Sequence, residues 1–184
     1  MTNRGFTEEI LSELKNTLSR MDDKSAEQTV DGILQANKIL VAGGGRSGFM
    51  AKAFVMRLMH TGLDAYVVGE TVTPNLEPGD TFIVGSGSGE TESLVSMTRK
   101  AKKIGATIVA VTINPESTIG EMADITVEIP AQAKADGDSG RSIQPMGSLF
   151  EQSLLLFYDA MILNLMDKKG LKSDGMYGRH ANLE

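Results

Sequence analysis

The sequence predicts an α/β fold: a three-layer α/β/α sandwich around a five-stranded parallel sheet. Two observations carry this. Five short apolar runs, KILVA (38–42), DAYVVG (64–69), TFIVGS (81–86), ATIVAVT (106–112) and ITVEIP (125–130), alternate with stretches of helical periodicity, and strands alternating with helices build a parallel sheet covered on both faces. Runs such as IVAV lack polar alternation, the pattern of strands buried on both sides. The chain has 184 residues, 41% of them hydrophobic. That suits one compact domain over residues 1–184.

Each element has its own signal. Ile10, Leu11, Leu14 and Leu18 share one face of a helix over 6–21, and a second helix runs 24–36. The first strand is followed by GGGRSG and a helix to His60, with Gly62 placed to end it. PNLEPGD (74–80) is a turn-rich loop before the third strand. A helix over 90–104 puts Leu94, Thr98 and Ala101 on one face and stops at Gly105. Residues 131–144 are polar and read as a loop. The helix over 147–168 is apolar around much of its circumference, which suits one side on the sheet and another on a partner chain. A polar tail, GMYGRHANLE, closes the sequence.

Composition removes several classes of function. No apolar run reaches the ~18 residues of a membrane span. The polar, amphipathic start is not a signal peptide. There is no cysteine, hence no disulfide or thiolate metal site, and a reducing, cytoplasmic location is expected. The net charge is -6 and no dense Lys/Arg run is present. Nucleic acid is therefore not an expected partner, because binding its backbone rests on basic residues.

Two loops carry binding chemistry. GGGRSG follows strand one and SGSGET follows strand three. In the order 2-1-3-4-5 these strands are neighbours where the strand order reverses, so both loops face one crevice. Glycines let the backbone approach a ligand, and the hydroxyls of Ser86, Ser88 and Thr91 donate hydrogen bonds. The helix start near Glu90 offers free N–H groups to an anion, so a phosphate can be held without a lysine. The carboxylates of Glu90 and Glu92 oppose this mildly. A second pattern competes. Gly43, Gly45 and Gly48 match G-x-G-x-x-G, and Glu70 ends strand two, as in a dinucleotide fingerprint.

Glu151 stands in the most apolar stretch, GSLFEQSLLL, where a carboxylate pKa rises toward that of a general base. Ser148-x-x-Glu151 also fits a capping box that only closes a helix start. Spacing leaves both readings open. His60 near a helix C-terminus has a dipole role available, and His180 lies in the tail.

Taken together, RSGFMAKAFVMRLMHTG, VGE-x-x-TP (68–74), GSGSGET, TINPES (112–117), IQPMGSLFEQ (143–152) and RHANLE (179–184) resemble the sugar isomerase (SIS) domain family. They are most similar to its branch that interconverts D-arabino-3-hexulose 6-phosphate and D-fructose 6-phosphate. The resemblance covers essentially the whole chain. It implies the flavodoxin-like strand order, a homotetramer, no cofactor and no metal. It implies that the substrate is supplied by a 3-hexulose-6-phosphate synthase that fixes formaldehyde onto ribulose 5-phosphate. By motif, it implies that Ser47, Ser86, Ser88 and Thr91 hold the phosphate, with Gly87 and Gly89 adding backbone contacts; Arg46, which lies in the first loop, is expected to help neutralise it, and Glu90 is counted with the substrate-binding residues. Glu151 would be the base, with His60 and His180 as polar partners near the sugar, the latter supplied by a neighbouring subunit. A non-catalytic sugar-phosphate sensor and a nicotinamide-binding enzyme are the alternatives.

Overall fold

The computed structural model describes residues 1–131 and 142–183. The elements run α1 (Asn3–Leu18), α2 (Asp23–Gln35), β1 (Ile39–Gly43), α3 (Gly45–His60), β2 (Ala65–Val67) and β3 (Thr81–Gly85). They continue with α4 (Glu92–Ile104), β4 (Thr107–Thr112), α5 (Thr118–Met122), β5 (Ile125–Glu128), α6 (Ser148–Lys168) and α7 (Ser173–Tyr177). The five strands are all parallel, in the order β2-β1-β3-β4-β5. This is the expected architecture. Most of the expected polar loop over 131–144, namely 132–141, lies outside the described residues.

The absence of polar alternation in the strands has a direct structural counterpart. Along β1, Ile39 and Val41 pack toward α1, α2, α3 and α6, while Leu40 and Ala42 pack toward α4 and α5. Successive side chains point to opposite faces, so a strand covered on both faces must be apolar throughout. The middle of α6 is held on the sheet by Leu154, Tyr158 and Leu165, each almost fully buried. Each of the two leucines contributes about 1.5–3 kcal/mol by burial. Tyr158 stacks on Phe54 of α3 at 4.2 Å, tying the two helices together. By length and composition α6 is apolar enough to cross a membrane. Here its apolarity is that of a core helix.

Element ends differ from expectation where side chains cap them. The first helix starts at Asn3 because Thr2 accepts a hydrogen bond from the Gly5 N–H, and it stops at Leu18. Asp22 then caps α2 by accepting from Ser25. α4 starts at Glu92 rather than Glu90, because Thr91 takes an extended backbone (φ -63°, ψ 112°) as its N-cap. Two five-residue helices, α5 and α7, are too short to show periodicity in sequence.

Candidate active site

Gly43 at the end of β1 pairs in register with Gly85 at the end of β3. The two glycine loops therefore leave the sheet side by side, as their positions at the strand-order reversal require. Between them opens a cavity of about 660 Å³, closed on its third side by the start of α6. Gly43 is a glycine for packing: a β-carbon there would stand 2.8 Å from the Ser47 carbonyl. β1 and α3 can meet this closely only without it.

Three helix N-termini meet at the cavity: α3 through Gly45, Arg46 and Ser47, α4 through Thr91, and α6 through Gly147 and Ser148. The N-caps of these three helices, Gly44, Thr91 and Gly147, make no side-chain capping hydrogen bond. By contrast α1, α2 and α5 are capped by Thr2, Asp22 and Ser117. First-turn N–H groups lack intrahelical partners, and each N-terminus carries about half a positive charge. The cavity thus gathers positive potential and open donors with, among the described residues, one guanidinium and no lysine in its wall.

That guanidinium belongs to Arg46. Its Nη1 donates to Ser148 Oγ at 2.9 Å and to Glu151 Oε2 at 3.2 Å. Arg46 and Glu151 are the only charged side chains lining the cavity among the described residues. The capping box that Ser148-x-x-Glu151 suggested is not formed. Ser148 lies inside α6, donates its hydroxyl to the Pro145 carbonyl at 2.8 Å, and leaves the cap position to Gly147. The Glu151 carboxylate faces the cavity instead.

The loop after β3 is built from its own hydroxyls. Ser86 Oγ accepts the Gly89 N–H at 3.2 Å and lies 3.5 Å from Thr91 Oγ1, and Ser88 Oγ accepts the Glu90 N–H. The Gly87 carbonyl accepts from the Ile113 N–H and from Thr112 Oγ1. Ser47, Ser86, Gly87, Ser88 and Thr91 line the cavity. Gly89 and Glu90 do not. Gly89 rests against Ser117, whose hydroxyl occupies the place of a β-carbon. The Glu90 carboxylate accepts the Thr118 N–H at 2.7 Å, a contact that holds its carboxyl below the usual range. The negative charge that opposed anion binding is thus turned toward α5.

His60 and His180 are brought together, but away from this cavity. Their rings stack at 5.4 Å, Tyr177 stacks on His180 at 6.2 Å, and Arg57 Nη1 contacts His60 Nδ1 at 3.2 Å. His60 ends the helix whose first turn holds Arg46, 14 residues or about 21 Å further along its axis. Within one chain neither imidazole reaches Glu151. Burial pushes the His60 pKa down, and the neighbouring Arg57 and His180 push it further.

Several wall residues were missed in sequence: Ser148, Phe150, Met146, Leu94 and Ile113. Ser148 and Phe150 flank Glu151 and were within reach of the same reading. Met146 lies in IQPMGSLFEQ, but neither its residue type nor its spacing marked it as part of a wall. The dinucleotide fingerprint loses its acid, because Glu70 pairs with Lys52 at 3.4 Å and does not line the cavity.

Comparison with known proteins agrees with this geometry. Residues 32–156 match the SIS domain family. The chain is 53% identical over 180 residues to a 3-hexulose-6-phosphate isomerase of Bacillus subtilis, covering 97% of each chain. It is 41% identical over 175 residues to the enzyme of the same name from Mycobacterium gastri, covering 95% of this chain and 88% of that one. A crystal structure of a Methanococcus jannaschii protein, from which a function of 3-hexulose-6-phosphate isomerase was inferred, superposes with a TM-score of 0.82 at 35% identity, covering 97% of both. Sheet order, paired loops and sequence point the same way, and the chain belongs to the SIS domain family.

Proposed function

We propose that this protein is an isomerase that interconverts D-arabino-3-hexulose 6-phosphate and D-fructose 6-phosphate through a cis-enediol. One observation carries the reading: three uncapped helix N-termini converge on a cavity whose wall, among the described residues, holds one carboxylate, Glu151, beside one guanidinium, Arg46. Relatives sharing 53% and 41% of the sequence are 3-hexulose-6-phosphate isomerases.

The phosphate sits against the N-termini of α3 and α4, taking hydrogen bonds from Ser47, Ser86, Ser88 and Thr91. This leaves the sugar extending toward α6. Glu151 removes the proton from C2, and the electron pair forms the C2–C3 double bond while the C3 carbonyl oxygen becomes an oxyanion. Arg46 and the α6 N-terminus stabilise that charge. The oxygen at C3 is protonated, the hydroxyl at C2 gives up its proton, and Glu151 returns the first proton to C3. The net change moves one hydrogen from C2 to C3 and the carbonyl from C3 to C2, an internal redox change that needs no outside oxidant.

His60 and His180 act on the substrate oxygens only from a neighbouring copy, since within one chain they stand one helix length away. This goes with a homotetramer. Phe49 and Met56 on α3 and Leu163 on α6 are more than half exposed, apolar groups that a second copy would cover. The 3-ketose comes from a synthase that joins formaldehyde to ribulose 5-phosphate.

The test generates 3-hexulose 6-phosphate in place with such a synthase and follows fructose 6-phosphate through a coupled NADPH assay. Product that depends on this protein is expected. No product, in an assay that responds to added fructose 6-phosphate, would overturn the reading and favour a sugar-phosphate sensor.

A further inference from the structure

Glu13 has no part in the chemistry above, yet it holds the loop on which that chemistry stands. It lies on α1, whose buried Leu14 and Thr17 fix the helix against the body of the protein. Its half-buried carboxylate collects three donors from one short stretch. Ser142 Oγ at 2.6 Å and Gln144 Nε2 at 3.0 Å donate to Oε2, and the Ile143 N–H donates to Oε1 at 2.7 Å. Burial pushes the carboxyl pKa up, but the bonds from Ser142, Gln144 and Ile143 together pull it below the usual carboxylate range. Gln144 is itself buried, and its N–H is bonded to Ser142 Oγ at 3.0 Å.

The next four residues, Pro145, Met146, Gly147 and Ser148, form the α6 side of the cavity wall. Met146 has a φ of 57°, the one non-glycine residue in the left-handed region among the described residues. Non-glycine residues take that region seldom, and they persist there when their surroundings over-determine it. The turn ends in Ser148, which accepts from Arg46, and Arg46 reaches Glu151. An unbroken path of hydrogen bonds and short backbone therefore runs from α1 to the reacting carboxylate.

We propose that Glu13 is a positioning residue: it clamps residues 142–144 to α1, so that the Pro145–Ser148 turn holds Arg46 and Glu151 in reactive alignment. This rests on the isomerase reading. Glu13 is well suited to the role because all three contacts donate to it, and only a carboxylate accepts on both oxygens. In Glu13→Gln one oxygen becomes an NH₂ group that faces donors.

The experiment compares the full-length parent with Glu13→Gln and Gln144→Ala. Three quantities are read: kcat and KM in the coupled assay, inhibition by inorganic phosphate, and hydrogen exchange of the amides of 143–150. Displacing a reacting group by an ångström costs on the order of 10²-fold in rate. Glu13→Gln is expected to lose about 10- to 100-fold in kcat, to exchange 143–150 faster, and to keep the parent's inhibition by phosphate, because the phosphate loops lie on other elements. Gln144→Ala is expected to act in the same direction, and the double variant to be less than additive. An active parent with unchanged kcat and exchange in Glu13→Gln would overturn the clamp alone. So would a kcat loss matched by equal loss of phosphate inhibition, which marks general destabilisation. Should Glu13→Gln not fold, Gln144→Ala, which leaves α1 intact, decides by the same readouts. A parent without turnover overturns the isomerase reading, and the exchange of 143–150 then decides the clamp by itself.

Discussion

Arg46 and Glu151 stand 105 residues apart in the chain and 3.2 Å apart in the fold, each in the first turn of its helix. Both helix N-termini are uncapped. The pair joins the glycine loop after β1 to the start of the C-terminal core helix, and it stands in the wall of the cavity between the two glycine loops.

Glu151→Gln should lower kcat by about 10²- to 10⁴-fold, the range of a lost general base. Fructose 6-phosphate binding by calorimetry should stay within a few-fold of the parent, since the phosphate contacts lie on α3 and on the loop between β3 and α4. Parent-like turnover by the variant would remove Glu151 as the base.

Ser86→Ala, Ser88→Ala and Thr91→Val each delete one hydroxyl from the anion site. Hydrogen bonds to a charged group contribute about 1.5–3 kcal/mol, so KM should rise roughly 10- to 100-fold per variant, with a smaller change in kcat. Competitive inhibition by inorganic phosphate should weaken in parallel. If KM stays put while kcat falls, the phosphate lies elsewhere.

Gly89→Ala tests the loop's construction. The new methyl would land on the Ser117 hydroxyl that caps α5, at a backbone with φ 65°. The left-handed backbone alone costs about 1–2 kcal/mol, and the displaced cap adds about 1 kcal/mol. A melting temperature lower by roughly 4–12 °C is expected at this chain length. An unchanged melting curve would show that the loop relaxes freely.

His60 gives stability a pH dependence. Its folded pKa is depressed, first by burial and then by Arg57 and His180, so between that value and its unfolded pKa the unfolded chain binds the extra proton. The contribution of His60 is then complete above about pH 6.5 and is lost as pH falls toward the folded pKa. Thermal melts from pH 7.5 to 5.5 should show falling stability, and the slope should shrink in His60→Gln. An identical slope in the variant would assign the effect to other groups.

Much of this was legible because it is local. Five apolar runs specified five strands, and glycines after the first and third marked the loops that meet where Gly43 pairs with Gly85. The hydroxyls of Ser86, Ser88 and Thr91, picked out in the second loop, line the cavity. Other features were hidden because they depend on partners far along the chain. Glu90 looked like part of the site until Thr118, 28 residues on, was seen to take its carboxylate. Glu70 looked like a ribose acid until Lys52 paired with it. Ser148 looked like a helix cap until Pro145 and Arg46 claimed its hydroxyl.

By itself the sequence determined the fold class, the number of strands and the placement of a glycine loop after the first and third of them, while the strand order followed from the family resemblance. Apolar periodicity and glycine placement act within a few residues. Only the tertiary structure decided which carboxylate faces the cavity, which helices leave their N-termini open, and that His60 and His180 sit at the far end of α3. Those outcomes depend on where a side chain finds its partner once helices distant in sequence have packed. A long polar side chain near several partners takes whichever ones the packing presents.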